Sequence, residues 1–371
     1  MKNLSVMIKP ASSLCNMRCK YCFYADISSI REQPSYGVMT SETRKKVLSN
    51  IFSQLDSGDS ITFAFQGGEP TMAGIGWFRQ FIQEARQLAG DGIQISYAFQ
   101  TNGLLLDDDW LNLFKEHHFL VGLSLDGPKD FHDRNRPDAH GNGTFAHLLD
   151  IKKKMDRLHV SYNILTVLTN AAARHPQKLW NFLNEQQIAW VQFVPCLAPL
   201  DGEQNVYALT PERYASFYTA LFDLWYPTLS QGRPMSIKLF DDLLALLAFG
   251  QETACGITGH CHPQIVVEAN GNVYPCDFYA VDEWLSGNLQ EDNIRTLYDS
   301  SAHASFRSRP RTMPEQCGDC PYASICGGGC PRMRSSVFCS SRDGFCGHRA
   351  FLDAAMPRLS RLAAEIRRRS V

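Results

Sequence analysis

The sequence predicts an α/β protein: a partial parallel barrel of about six strands followed by a cysteine-rich segment. Three observations carry this prediction. Short β-branched or aromatic runs alternate with helical patterns from residue 5 to about residue 195. The runs are apolar on both faces, as strands buried in a parallel sheet are. The cysteines are uneven, with three before residue 23, one at Cys196, and nine from Cys255 to Cys346.

Strands are expected at Ser5–Lys9, Ile61–Phe65, Ile93–Gln100, Phe119–Leu125, Val160–Leu168 and Trp190–Val194. Helices are expected between them at Ser41–Leu55, Trp77–Leu88, Asp108–His117, Phe145–Leu158 and Pro176–Glu185. An open doubly wound sheet has the same periodicity, so the polar signals decide. Gln66-Gly67-Gly68-Glu69-Pro70, Gln100-Thr101-Asn102-Gly103 and Ser124-Leu125-Asp126-Gly127 each follow the C-terminal end of a strand, and Cys15 follows the first. In a parallel barrel those ends share one rim, where active sites form.

Residues 1–200 thus read as the barrel and 201–254 as a helical bridge. The bridge carries helices at Pro211–Tyr226 and Leu239–Phe249, separated by Gly232-Arg233-Pro234. Residues 255–348 are rich in Gly, Pro and Cys and too poor in apolar residues for their own core, so bound metal is expected to supply folding energy. A final helix, Arg349–Arg369, lies within the closing segment 349–371.

With a formal charge of −2 and 20% charged residues, nothing points to nucleic acid or an anionic membrane as partner. No run approaches the eighteen or so apolar residues of a membrane span, and the Met1–Pro10 stretch is too short and interrupted for a signal peptide. A cytoplasmic location is expected. There, thiols stay reduced, and 13 cysteines, an odd number, argue for metal binding or catalysis over disulfides.

Cys15, Cys19 and Cys22 are spaced C-x3-C-x2-C. Structural zinc sites are closed and most often use paired cysteines, whereas a [4Fe-4S] cluster on three thiolates keeps one iron open. The loop, with Tyr21 before its last cysteine and Phe23-Tyr24 after it, resembles the signature of the radical S-adenosylmethionine (SAM) superfamily. That resemblance implies a (β/α)6 TIM-like radical SAM barrel with SAM chelating the open iron. It further implies that Tyr21, Gly68, Glu69, Ser124, Arg136 and Leu197 lie along the cofactor. Gly67-Gly68-Glu69 would face the SAM amino group, and Arg136 its carboxylate.

Cys261-x9-Gly271-x4-Cys276, then Cys317-x2-Cys320-x5-Cys326-x3-Cys330 and Cys346, resembles the SPASM domain of peptide-modifying enzymes. With Cys255 this gives eight ligands for two auxiliary [4Fe-4S] clusters, three clusters in all. The resemblance assigns Cys255, Cys261, Cys276 and Cys330 to one, and Cys317, Cys320, Cys326 and Cys346 to the other. Cys317-x2-Cys320 alone would also suit zinc. Cys339 competes with Cys346 as last ligand; Cys346, just before the final helix, is preferred, leaving Cys196 and Cys339 as free thiols.

"IKPASSLCNMRCKYCFY", "FAFQGGEPT", "FQTNG", "GLSLDGP", "LFDLWY" and "VYPCDFY" occur in the order seen in anaerobic sulfatase-maturating enzymes, which the chain resembles nearly end to end. The resemblance implies oxidation of a Cys or Ser in a C/S-x-P-x-R segment of an unfolded sulfatase to Cα-formylglycine. A 5'-deoxyadenosyl radical would abstract hydrogen at Cβ, Asp277 would be the catalytic base, and flavodoxin or ferredoxin would donate electrons. Tyr24 is a candidate substrate contact. The competing expectation is another SPASM peptide maturase, forming thioethers or crosslinks on a ribosomal peptide.

Overall fold

Apolar strands alternating with capped helices build the first part of the chain. In the computed structural model, which describes residues 3–202, 205–232, 235–309, 313–340 and 344–370, the strands are β1 (Asn3–Ile8), β2 (Ser60–Phe65), β3 (Gln94–Thr101), β4 (Leu120–Ser124), β5 (Tyr162–Leu168) and β6 (Trp190–Pro195). All six expected strands form, and the expected helices between them lie at Ser41–Phe52, Ile75–Ala89, Asp108–Glu116, Phe145–Leu158 and Pro176–Glu185. Two of these starts are fixed by side chains that take up helix-end amides: Thr40 accepts from Thr43 N–H, and Asp107 from Trp110 N–H.

Contact clustering divides the chain into two compact units. The first comprises Met1–Ser124, Asp133–Tyr162 and Pro263–Arg309. Its strand order is β10-β9-β8-β1-β2-β3-β4, where β8 is Ile265–Val267, β9 Asn272–Tyr274 and β10 Gly287–Asn288. β1 to β4 pair in parallel, and β8 adds to β1 in parallel with Val6 opposite Ile265 and Ile8 opposite Val267. The sequence reading placed 255–348 apart from the barrel on composition. The first compact unit instead takes in 263–309, because β1 has a free edge that these short apolar strands complete. Phe63, Phe65, Phe78, Phe81, Phe99, Phe114 and Phe119 are each 1% exposed or less and form the unit's aromatic core.

The second unit comprises Leu125–His132, Asn163–His262 and Pro310–Val371. Here β5 and β6 pair in parallel, and β7 (Ser236–Ile237) extends β6. Leu125 N–H donates to Leu165 O at 3.0 Å. Helices Pro211–Trp225, Lys238–Phe249 and Gly347–Arg369 pack through Phe222, Trp225, Phe240 and Phe351. Of the expected Gly232-Arg233-Pro234 break, Arg233 and Pro234 lie outside the described residues. Among the described residues no helix is long and apolar enough to cross a membrane.

Candidate active site and cysteine clusters

β1 ends at Ile8, and the chain turns through Cys15, Cys19 and Cys22 into a helix, Phe23–Ser29, that Cys22 caps. Two close backbone contacts pin this loop to the turn after β2: Gly68 N–H donates to Ser12 O and Glu69 N–H to Leu14 O, both at 2.8 Å. A Cβ on Gly68 would lie 2.2 Å from Leu14 O, so only glycine permits the approach. On its other side the loop is held by the 135–139 segment, where Arg18 N–H donates to Pro137 O and Lys20 N–H to Asn135 O, each at 3.0 Å.

Donors reach two of the three sulfurs. Met17 N–H reaches Cys15 Sγ at 3.4 Å and Asn102 Nδ2 at 3.7 Å, while Arg136 Nη1 lies 3.9 Å from Cys19 Sγ. Such donors favour the thiolate, the form that binds iron. Burial, aided by the charges of Glu69 and Cys22, pushes the Cys15 thiol up, and these donors oppose it. The loop therefore fits three-thiolate ligation. Arg136 also covers the Tyr21 ring at 5.4 Å.

Glu69 is fully buried, and its carboxylate accepts from Thr71 N–H (3.1 Å), Thr71 Oγ1 (2.7 Å), Thr101 Oγ1 (2.8 Å) and Asn102 N–H (2.7 Å). It ties the β2 and β3 turns together. Ser124 Oγ accepts from Gln100 Nε2 at 3.1 Å. Leu197 is buried beyond β6 in the second unit.

Asp277 lies in the first unit with the thiol loop, and Phe278 packs on Phe23 with ring centroids 5.0 Å apart. Its Oδ1 is 2.5 Å from Lys9 Nζ, and its Oδ2 accepts from Gln66 Nε2 at 2.8 Å. Lys9 also lies 3.8 Å over the Tyr24 ring. Tyr24 donates its phenol to Glu268, which pairs with Arg31 at 2.9 Å, and burial with the Glu268 charge holds the phenol well above its usual range. Sequence reading missed Lys9, Gln66, Asn102, Glu268 and Arg31 as site residues. For Gln66 and Asn102 a signal was present, since both sit in turns already singled out. Lys9 ends an apolar strand and gave none.

In the second unit Cys317, Cys320, Cys326 and Cys346 line one chamber with His348 and Phe338, and the Cys339 thiol lies near enough to feel the charges of Cys346, Cys317 and Cys326. Burial is the main reason the Cys317, Cys326 and Cys346 thiols are pushed up. Burial lowers His348 to about 4, and its Nδ1 lies 3.1 Å from Tyr214 OH. Cys255 is pushed down to about 6, chiefly by its hydrogen bond with Cys261. A Cβ on Gly256 would lie 2.8 Å from Cys330 Cβ, so the Cys255-Gly256 turn rests on Cys330. Cys276 belongs to the first unit. Among the described residues no three His, Cys, Asp or Glu side chains converge tightly enough to hold a single metal ion.

The profile of the Radical SAM superfamily matches residues 10–173, and that of SPASM, an iron-sulfur cluster-binding domain, matches 261–321. Parallel α/β architecture, thiol loop and these matches define a radical SAM enzyme with a SPASM domain, which uses a [4Fe-4S] cluster and SAM. A cysteine-type anaerobic sulfatase-maturating enzyme of Clostridium novyi (strain NT) is 39% identical over 93% of this chain and 95% of its own length. A serine-type enzyme of Bacteroides thetaiotaomicron is 29% identical over 90% of this chain and 84% of its own. A solved structure described as native anSMEcpe with bound AdoMet and Kp18Cys peptide matches with a TM-score of 0.90 and 36% identity, over 98% of this chain and 99% of that one. The chain belongs to the anaerobic sulfatase-maturating enzyme family.

Proposed function

We propose that this enzyme oxidises a sulfatase residue in a C/S-x-P-x-R segment to Cα-formylglycine, with cysteine the preferred target. Greater identity to the cysteine-type relative than to the serine-type one supports the preference. The observation that carries the reaction is Asp277, a buried carboxylate oriented by Lys9 and Gln66 in the same compact unit as the three-thiol loop.

Cys15, Cys19 and Cys22 would hold the [4Fe-4S] cluster that binds SAM, the other eight cysteines would hold two auxiliary clusters, and together these groups would supply hydrogen abstraction at Cβ and take up electrons. Tyr21, Gly68, Glu69, Ser124, Arg136 and Leu197 would bind and orient SAM. Arg136 brings a guanidinium suited to a carboxylate, and Gly68 presents bare backbone. Asp277 would accept the proton of the substrate thiol or hydroxyl, with Lys9 and Gln66 keeping both its oxygens in place. Tyr24, fixed by Glu268, would close the wall beside it. A reduced donor such as flavodoxin or ferredoxin would prime the enzyme, and the substrate would be an unfolded stretch of sulfatase.

The test is anaerobic incubation with SAM, reductant and two peptides, one with Cys and one with Ser in the motif. Formylglycine lowers the mass by about 18 Da from Cys and about 2 Da from Ser, by the atoms exchanged. Deoxyadenosine formed without mass loss on either peptide refutes the proposal and favours a thioether- or crosslink-forming maturase.

A further inference from the structure

The chamber formed by Cys317, Cys320, Cys326 and Cys346 has in its wall a buried imidazole that the proposed oxidation does not use. His348 is 3% exposed and follows Cys346 by two positions at the start of the helix Gly347–Arg369. Its ring is enclosed by Phe338, with centroids 5.4 Å apart, and by Tyr214 at 6.0 Å. Tyr214, also 3% exposed, comes from the helix Pro211–Trp225 and sets its hydroxyl 3.1 Å from His348 Nδ1. Two helices distant in sequence thus converge on one imidazole beside four thiols.

We propose that His348, oriented by Tyr214, donates a hydrogen bond to the iron-sulfur cluster of this chamber and raises its reduction potential. The inference rests on the reading that these four cysteines hold a cluster. When the phenol donates to Nδ1, the ring N–H is on Nε2, the polar atom the ring has left for the chamber. An anionic cluster favours the same tautomer. Donors to cluster sulfur stabilise the reduced, more negative state, and the apolar surround of Phe338 and Leu352 strengthens the effect. Tyr214 is then a positioning residue, acting through the tautomer it selects.

The experiment uses the full chain, reconstituted without oxygen, grown on 15N-histidine and compared with His348→Phe and Tyr214→Phe. Iron per chain, potentiometric titration and pulsed EPR of the reduced protein are the readouts. With about twelve irons bound, the wild type is expected to show a histidine nitrogen coupling that His348→Phe removes. In that variant the reduction equilibrium of one cluster shifts about tenfold toward the oxidised form, or ~59 mV for one electron. Tyr214→Phe is expected to keep its iron and shift the same potential in the same direction by less. Full iron content with unmoved potentials in both variants overturns the proposal, as does a coupling that survives in His348→Phe. If His348→Phe loses iron, Tyr214→Phe decides alone, and an unchanged potential there rejects the role. Wild-type iron that Cys320→Ala does not lower by about four removes the chamber cluster, and the proposal with it.

Discussion

Lys9 Nζ lies 2.5 Å from Asp277 Oδ1, and the side chains of the two residues are 0% and 9% exposed. One residue directly follows the first strand and the other follows a cysteine far along the chain. Removing one partner of a buried pair leaves the other charge without compensation, at a cost of about 3–5 kcal/mol. Lys9→Met is expected to lose stability on that scale in anaerobic urea denaturation, and the double variant Lys9→Met/Asp277→Asn to recover most of it. Asp277→Asn alone should still cleave SAM yet form product at a rate lower by a factor on the order of 10²–10⁴. Equal stability of both Lys9 variants and wild type would show that the pair is not a functional unit.

Gly68→Ala tests the clasp on the thiol loop. The added methyl would sit 2.2 Å from Leu14 O, a backbone atom with little room to retreat. Displacement of the loop and loss of about four irons per chain are expected, read by iron assay. Gly76, inside the helix Ile75–Ala89, has open space at its Cβ position. Gly76→Ala should therefore keep its iron and gain up to about 1 kcal/mol of stability.

Cys339 and Cys346 face each other across an antiparallel bridge, Cys346 lines the chamber, and Cys339 feels the charges of Cys346, Cys317 and Cys326, so the ligand role is decided by substitution. Cys346→Ala should lose about four irons per chain, while Cys339→Ala keeps its full content. The opposite pattern would transfer the ligand role to Cys339.

His303 offers a pH test away from the cysteines. It is fully buried, its Nε2 has no hydrogen-bond partner, and burial followed by the Arg307 charge lowers it to about 4. The unfolded chain takes up its proton near the ordinary histidine value of 6.5, well before the folded protein does. Stability tied to this group is therefore complete above pH 6.5 and is lost as pH falls toward 4. His303→Phe should flatten that decline by an amount of order 1–3 kcal/mol, measured by denaturation at both ends of the window. Parallel curves for variant and wild type would contradict it.

The six strands, the intervening helices and the cysteine ligand candidates were legible in sequence because each depends on short-range chemistry. A short β-branched or aromatic run marks a strand, a helical apolar pattern marks a helix, and three thiols within eight residues must share a loop. Residues that act through distant partners left no such trace. Glu69 reads as a cofactor carboxylate, and only the fold reveals the four hydrogen bonds that it accepts from its own and a neighbouring turn. Tyr214 and His348 meet only because two helices pack.

The sequence by itself determined the βα repeat, the three-thiol loop and the spacing of the C-terminal cysteines. Tertiary structure alone decided that β8 completes the open edge of β1, which carries the Cys276-Asp277 turn to Lys9 and Gln66. The physical reason is that backbone pairing satisfies a free strand edge whatever the separation along the chain. Local pattern records which residues make a strand, and the edge they join is settled only when the sheet is assembled.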